Sequence, residues 1–585
     1  MMNKFTIKQD LFKQSFPPIF VTTVDERLLE KEIILSFLST DSNEEKIGVS
    51  AIYGKRCAIT SIAFSTLTSS LVIHFSKQPG RRALELIKDC ILVNSRHTKY
   101  AFKMDTFALS LFTDLSLRIS NAVDLLSLKT KGNRHSLERV LGVMGGEHML
   151  HKHNVKALFF KNAKEMSHSD VAVQAWAACA VAILYNTTSV PRIDTLKLTQ
   201  KQLAPLARIA RDGDLLEAIK PTVTKNDVRS DFSVKADRVN LTCERFRTRI
   251  RTSGNQVVLI ETKNGTSKNS VAGRARQVQG RKAQVSVDGP VSGEIVSVST
   301  IGKEEMNFAE IARQVIILHV LQDRTSLLSQ PFFQRIWLPH ERTSWPKRGS
   351  RTLDPSIYFP QRALNPSQEM AVEKILSSDD DNRIVMIHGP PGTGKTTVIA
   401  AAVTSFHHAN RQRSVWIAAQ SNVAVKNIAE KFCDVGFHDF KLLVSKDFHF
   451  DWHEHLYKDI LEPHFIRSDV FSKDIVAAER DLLDARVILC TLTMLSSQSI
   501  AHYTHIAPVQ TIIFDEASQI EVGDYIPVVH RFEPTLRKIV FIGDNKQLAP
   551  YGQEEVRGLQ SIFEFDHLLK NAVFLDIQCM RSPFF

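Results

Sequence analysis

The chain has 585 residues, 43% hydrophobic and 23% charged, which at roughly 150 residues per domain is a folded multidomain protein and excludes a single small module, a disordered polymer or a collagen-like fibre. Its formal charge is +11, and ten Lys or Arg against three Asp or Glu fall between Leu241 and Pro290, so a polyanionic partner is in view. No apolar run approaches the roughly 18 residues of a membrane span, no secretory pattern opens the chain, and seven scattered Cys without a C-x-x-C read as reduced thiols. A cytoplasmic or nuclear address with no membrane partner is expected.

Residues 46–188 begin with β-rich runs (47–49, 57–64 and 70–75), followed by apolar residues at helical spacing in 81–91 and 107–115, an order that suits an α/β domain. Pro191 marks a break, and 202–220 read as a polar helix. In 256–261, 283–287 and 293–298, Val and Ile segments are separated by Gly, Asn, Ser and Pro, the pattern of a small antiparallel barrel. Arg274, Arg276, Arg281 and Lys282 on it are candidate nucleic-acid contacts, with a solvated charged face as the other reading. Residues 308–321 read as an apolar-rich helix and 345–366 as a proline-containing connector. Beyond 382, apolar strands at 384–387, 415–418, 487–490, 511–514, 539–542 and 573–577 alternate with helices. That alternation predicts a mostly parallel sheet with ligands at the carboxyl ends of its strands.

Three segments carry chemistry. Gly389-Pro390-Pro391-Gly392-Thr393-Gly394-Lys395-Thr396 fits G-x-x-x-x-G-K-[ST] between a strand and a helix that begins near Thr397. Its glycines let backbone N–H groups wrap phosphates, Lys395 neutralises β/γ oxygens, and Thr396 offers a hydroxyl to Mg2+. Phe514-Asp515-Glu516-Ala517-Ser518 ends a downstream strand; alone it reads as a helix cap, but joined to a phosphate loop it supplies Asp515 for Mg2+ and Glu516 for the attacking water. Gly543-Asp544-Asn545-Lys546-Gln547-Leu548-Ala549-Pro550 follows another strand.

Together these segments resemble motifs I, II and III of superfamily 1 helicases, in the 1B branch that holds the nonsense-mediated-decay helicase and senataxin. Leu364-Asn365-Pro366-Ser367-Gln368 is similar to that family's Q motif, and Ala419-Gln420-Ser421-Asn422-Val423-Ala424-Val425 to its motif Ia. The resemblance implies ATP with Mg2+, adenine recognition by Gln368, phosphate binding across Gly389–Thr397, strand contacts at Ser421 and Asn422, and γ-phosphate sensing by Gln547. It also implies that the basic barrel is the family's accessory barrel. Gln578-Cys579-Met580-Arg581-Ser582-Pro583 resembles motif IV with Met580 in the arginine position, so Arg581 is an arginine-finger candidate one residue out of register. The chain ends at Phe585, where the family's second RecA-like domain would follow. The expectation is an ATPase on single-stranded nucleic acid, RNA ahead of DNA, that does not unwind alone and whose second domain a protein partner supplies or replaces. The alternative is a non-catalytic adaptor that binds ATP and nucleic acid.

Residues from about 46 to 186 resemble a 3′–5′ exonuclease domain of the DEDD class, on Ile47-Gly48-Val49-Ser50-Ala51-Ile52, Phe102-Lys103-Met104-Asp105, Asn121-Ala122-Val123-Asp124 and Gln174-Ala175-Trp176-Ala177-Ala178. Such enzymes hold two metal ions on four carboxylates. Here the first pair falls on Ser50 and Ile52 and the last on Ala180, leaving Asp105, so no nuclease activity is expected. His438, His449, His453, His455 and His464 cluster after motif Ia, but without a convincing third ligand beside His449 and His453 they read as a surface insertion. The predicted organisation is an RNase H-like α/β domain over 1–190, a helical linker over 191–240, a basic barrel with its stalk helix over 241–345, and a P-loop RecA-like parallel sheet over 346–585.

Overall fold

The computed structural model describes residues 2–39, 45–129, 133–229, 233–235, 237–245, 248–254, 256–264, 267–279, 281–346, 354–446, 458–471 and 474–577. Two units form, one from 1–215 with 314–329 and the other from 216–313 with 330–585.

The first unit is built on an eight-stranded mixed sheet in the order Asn3–Ile7, Ile19–Asp25, Ser69–His74, Ile59–Ser65, Lys46–Tyr53, Thr98–Ala101, Ala122–Asp124, Arg192–Ile193. Its centre joins three antiparallel strands, from Ser69–His74 to Lys46–Tyr53, to two parallel ones at Thr98–Ala101 and Ala122–Asp124. The second of these strands starts at Ile59 rather than residue 57, because Arg56 and Cys57 hold positive φ angles of 58° and 54° that break extension. Helix His168–Leu184, closed at its start by the Ser167–Asp170 capping box, lies across the sheet with Ala172, Ala175, Trp176 and Ala180 buried. Gly48 makes that approach possible, since a Cβ there would sit 1.8 Å from the Ala175 carbonyl oxygen.

In the second unit, seven antiparallel strands run in the order Ser233–Lys235, Arg238–Thr242, Lys282–Val287, Ser267–Gln279, Val257–Asn264, Glu294–Ile301, Val223–Asn226. A bridge between Val228, just past the last strand of that order, and Cys243, just past the second, closes the sheet, so it curls around Val239, Leu241, Val258, Ile260 and Val285. The expected linker over 191–240 is therefore corrected. Helix Gln200–Ile219 occupies part of it, but the barrel begins at Val223, because three short strands before residue 243 are needed to cover this small core. The stalk helix Phe308–Leu321 follows.

The remainder of this unit is an eight-stranded parallel sheet in the order Phe465–Arg467, Phe440–Val444, Val487–Thr491, Val415–Ala419, Thr511–Asp515, Lys538–Gly543, Ile384–His388, Val573–Phe574. Its central strands are buried on both faces, as their nearly continuous apolar runs require. The fold class is α/β, with a P-loop RecA-like sheet. Phe440–Val444 and Phe465–Arg467 are strands additional to those predicted.

Candidate active site

Because the sheet is parallel, the strands that end at His388, Asp515 and Gly543 deliver the loops that follow them to one edge. The first loop, residues 389–394, turns into helix Lys395–Ala409 through Gly392 and Gly394, with φ of 81° and 87°. Helix geometry leaves the first-turn amides of Lys395 and Thr396 without intrahelical acceptors, an anion-binding arrangement. Pro390, Pro391 and Gly392 are exposed, and Thr393 is buried with its hydroxyl donating to the Pro390 carbonyl at 2.8 Å. Lys395 donates its Nζ to the Gly389 carbonyl at 2.9 Å, so the ammonium lies over the loop it would serve. Thr396 is half-buried at the same turn, whereas Thr397 is buried and its hydroxyl is bonded to Arg362. Thr397 therefore secures the helix start from behind.

Gln368 is only 2% exposed. Its Oε1 accepts from the Asn365 N–H at 3.2 Å, and its Nε2 donates to the Thr393 carbonyl at 2.9 Å. The amide thus braces the phosphate loop against the start of the preceding helix.

Asp515 ends its strand 5% exposed, and its Oδ1 has no hydrogen-bond partner. Burial first, and Glu516 second, raise its carboxyl to about 7, against the pull of a backbone hydrogen bond and of Lys395. An unpartnered buried carboxylate oxygen within the field of the loop lysine fits a divalent cation, so the donor set suits magnesium. Glu516 holds a left-handed φ of 51°, unusual for a residue with a Cβ and of the kind concentrated at functional sites. Its carboxylate is half-buried, with Gln519 Nε2 at 3.5 Å.

The third loop is tied to the first. The Gly389 N–H donates to the Gly543 carbonyl, and His388 Nε2 lies 2.8 Å from Asn545 Oδ1 and 3.4 Å from Asp544. Gln547 is exposed, its Nε2 donating to Asp544 Oδ2 at 3.2 Å.

Ser421 caps helix Asn422–Asp434 by accepting from the Ala424 N–H at 3.2 Å, with half-buried Asn422 beside it. On the barrel, Arg274 and Arg276 are exposed, Arg276 at a register shift between Ala275 and Gln277; Lys282 is exposed, and Arg281 donates to the Glu244 carbonyl at 3.1 Å. Arg581 and the motif IV segment lie outside the described residues.

In the first unit, Ser50 Oγ donates to Gln174 Oε1 at 2.8 Å. Asp105 is gripped by Arg134 through two bonds of 2.8 and 2.7 Å, and the same guanidinium reaches Asp124 at 2.7 Å. Sequence reading missed Arg134, which stands nowhere near a recognisable motif. His449, His453 and His455 lie outside the described residues, while His438 and His464 have ring nitrogens within 4.8 Å of the Cys433 thiol.

A P-loop at one edge of a parallel sheet, with acidic and polar loops from neighbouring strands beside it, is the arrangement of the RecA-like P-loop fold. A family described as an AAA domain matches residues 363–559. The ATP-dependent helicase upf1 of Schizosaccharomyces pombe is 29% identical over 256 residues, covering 38% of this chain and 26% of that protein. The DNA polymerase alpha-associated DNA helicase A of Saccharomyces cerevisiae is 25% identical over 296 residues, 42% of each. RNA helicase Mov10l1 of Homo sapiens is 30% identical over 199 residues, 32% of this chain and 15% of that one. The matched parts thus span less than half the length of each of these relatives. All three relatives are named as helicases, and the likeness supports a superfamily 1 helicase-like core. No helix among the described residues is long and apolar enough to cross a membrane.

Proposed function

We propose that this chain hydrolyses ATP with magnesium in response to single-stranded nucleic acid, RNA ahead of DNA. The observation that carries the reading is the buried, unpartnered Oδ1 of Asp515 in the field of the phosphate-loop Lys395. Thr396 and Asp515 would hold magnesium, which neutralises charge on the β- and γ-phosphates when bound. Lys395 leaves the Gly389 carbonyl to meet the phosphates, the 392–396 amides cradle them, and Glu516 orients and deprotonates the attacking water. Gln547, joined through Asp544 to His388, is placed by this reading to register the γ-phosphate. Ser421, Asn422, Arg274, Arg276 and Lys282 contact the strand. Arg581 remains the arginine-finger proposal, and a partner protein that completes the site belongs to the same reading.

The test is ATP turnover by the purified chain with single-stranded RNA, with single-stranded DNA and with neither, Lys395→Ala serving as the blank. Strand-stimulated turnover that is lost in the variant is expected. ATP binding without turnover under any condition would replace this reading with a non-catalytic adaptor. Duplex unwinding is scored separately in the same preparation, and none by the chain alone is the outcome proposed.

For the first unit we propose an exonuclease-derived domain without nuclease activity. Its support is that Ser50 is bonded to Gln174 and the Asp105 carboxylate is already neutralised by Arg134. Trimming of a single strand that depends on magnesium or manganese, and that persists in Lys395→Ala, would overturn it.

A further inference from the structure

Helix Asn422–Asp434 ends in a Schellman turn. The Gly436 N–H donates to the Cys433 carbonyl at 2.9 Å and the Phe437 N–H to the Phe432 carbonyl at 2.8 Å, with Gly436 at φ 71°. The reversal brings His438 back over the helix end. The next strand, Phe440–Val444, is paired with the edge strand Phe465–Arg467, and this places His464 beside the same point. Ligand atoms of Cys433, His438 and His464 all lie within 4.8 Å of one another.

The chemistry of the three groups is that of a metal ligand set. Cys433 is a half-buried free thiol. His464 is buried, its ring stacked on Phe440 with centroids 4.1 Å apart, and its Nδ1 lies 3.1 Å from the Phe440 carbonyl. A carbonyl can only accept, so Nδ1 carries the proton and Nε2 the lone pair, the backing that ligating histidines have in most metal sites. His438 is exposed, its ring centroid 5.9 Å from that of His464. Ligands on a tetrahedral zinc sit about 3.3–3.8 Å apart given bond lengths of about 2.0–2.3 Å, so the three side chains close in on the ion as it binds.

We propose that Cys433, His438 and His464 bind one Zn2+, with water in the fourth position. One thiolate and two imidazoles suit zinc among the abundant divalent ions, and magnesium, which requires oxygen ligands, is excluded. The ion staples the carboxyl end of the helix whose amino end carries Ser421 and Asn422 to the outermost strand pair of the parallel sheet. Cys433 loses its thiol proton to solvent on binding, and no other bond is made or broken.

The full chain, stripped with a chelator and kept free of nucleotide, is titrated with Co2+ and then with Zn2+. One Co2+ per chain with a thiolate-to-cobalt charge-transfer band, displaced by Zn2+, is expected. Cys433→Ser should abolish the band, and His438→Gln, at an exposed position that folding does not need, should weaken binding at least about tenfold. Binding without a thiolate band, or binding that both variants leave unchanged, would overturn the site. Lys395→Ala should bind cobalt as the unmodified chain does, so the fates of this site and of the ATPase reading are separable.

Discussion

The N–H of Gly389 donates to the carbonyl of Gly543 at 3.0 Å, and this one backbone bond joins the first residue of the phosphate loop to the first residue of the G-D-x-x-Q-L-x-P segment. The His388 contacts to Asn545 and Asp544 run alongside it. Displacement of one loop is therefore transmitted to the other. Asn545→Ala removes one strut and keeps the backbone bond, so it should lower the strand-stimulated fraction of ATP turnover more than the basal rate, read by comparing the two rates in one preparation.

Gln368→Ala should destabilise the chain by about 1–3 kcal/mol, since it leaves the buried Thr393 carbonyl and the Asn365 N–H without their partner. Denaturant unfolding measures the loss. Affinity for ATP and GTP should fall alike, because the loop itself loosens; loss of the preference for ATP alone would return Gln368 to the adenine.

Asp515 makes stability and magnesium binding depend on pH in opposite directions. Its folded value of about 7 lies above the ordinary 3.8, so its contribution to stability is complete below about 4 and is lost as pH rises to about 7. Relative to Asp515→Asn, the unmodified chain should lose about 2–4 kcal/mol of stability across that window. A cation favours the charged carboxylate, so affinity for magnesium-nucleotide should rise over the same range and level above 7, and the variant should lack this excess rise. Melts and calorimetric titrations at stepped pH provide both readings.

Arg313, on the stalk helix, is 3% exposed and bonded to Glu521 and, at 3.2 Å, to Asp524, six and nine residues beyond Asp515. Burial raises the Asp524 carboxyl to about 7 despite that guanidinium. Arg313→Ala removes the countercharge of buried Glu521 and half-buried Asp524 and should cost about 3–5 kcal/mol. The added Glu521→Gln should restore part of it, as equilibrium unfolding of the single and double variants would show.

If the barrel holds the strand, affinity should fall linearly with salt on a log–log plot, and replacing Arg274, Arg276 and Lys282 together with Ala should flatten the slope by about 2, at roughly 0.7 per phosphate contact on a single strand. An unchanged slope would mark these residues as a solvated face. Arg281, already bonded to the Glu244 carbonyl, should contribute less than the other three.

Short-range patterns made the parallel sheet and its loops legible: a strand, a glycine turn and a helix stand next to each other at 384–409, and Asp515 and Glu516 directly follow an apolar run. What stayed hidden depends on contacts distant in sequence. Strand Ser267–Gln279 is largely polar and shows no apolar run, so pairing on both edges defines it rather than composition. The short strands from Val223 to Thr242 are fixed by a barrel core closed from residues 257–301. The Gln368 brace spans 25 positions and the Arg313 anchor 208. The Cys433–His438 half of the metal cluster could have been found, since Gly436 between them signals the chain reversal, but its third member lies beyond a strand.

Arg134 gives the first unit a countercharge that is covalently part of the chain. An ion held by carboxylates leaves when its concentration falls or a chelator competes, whereas a guanidinium joined to Asp105 and Asp124 at 8% exposure has no dissociation constant to exceed. The order of this core is therefore indifferent to divalent supply, and its melting temperature should not change with EDTA. Removing Arg134 would leave Asp105 and Asp124 as two facing buried acids without their shared countercharge.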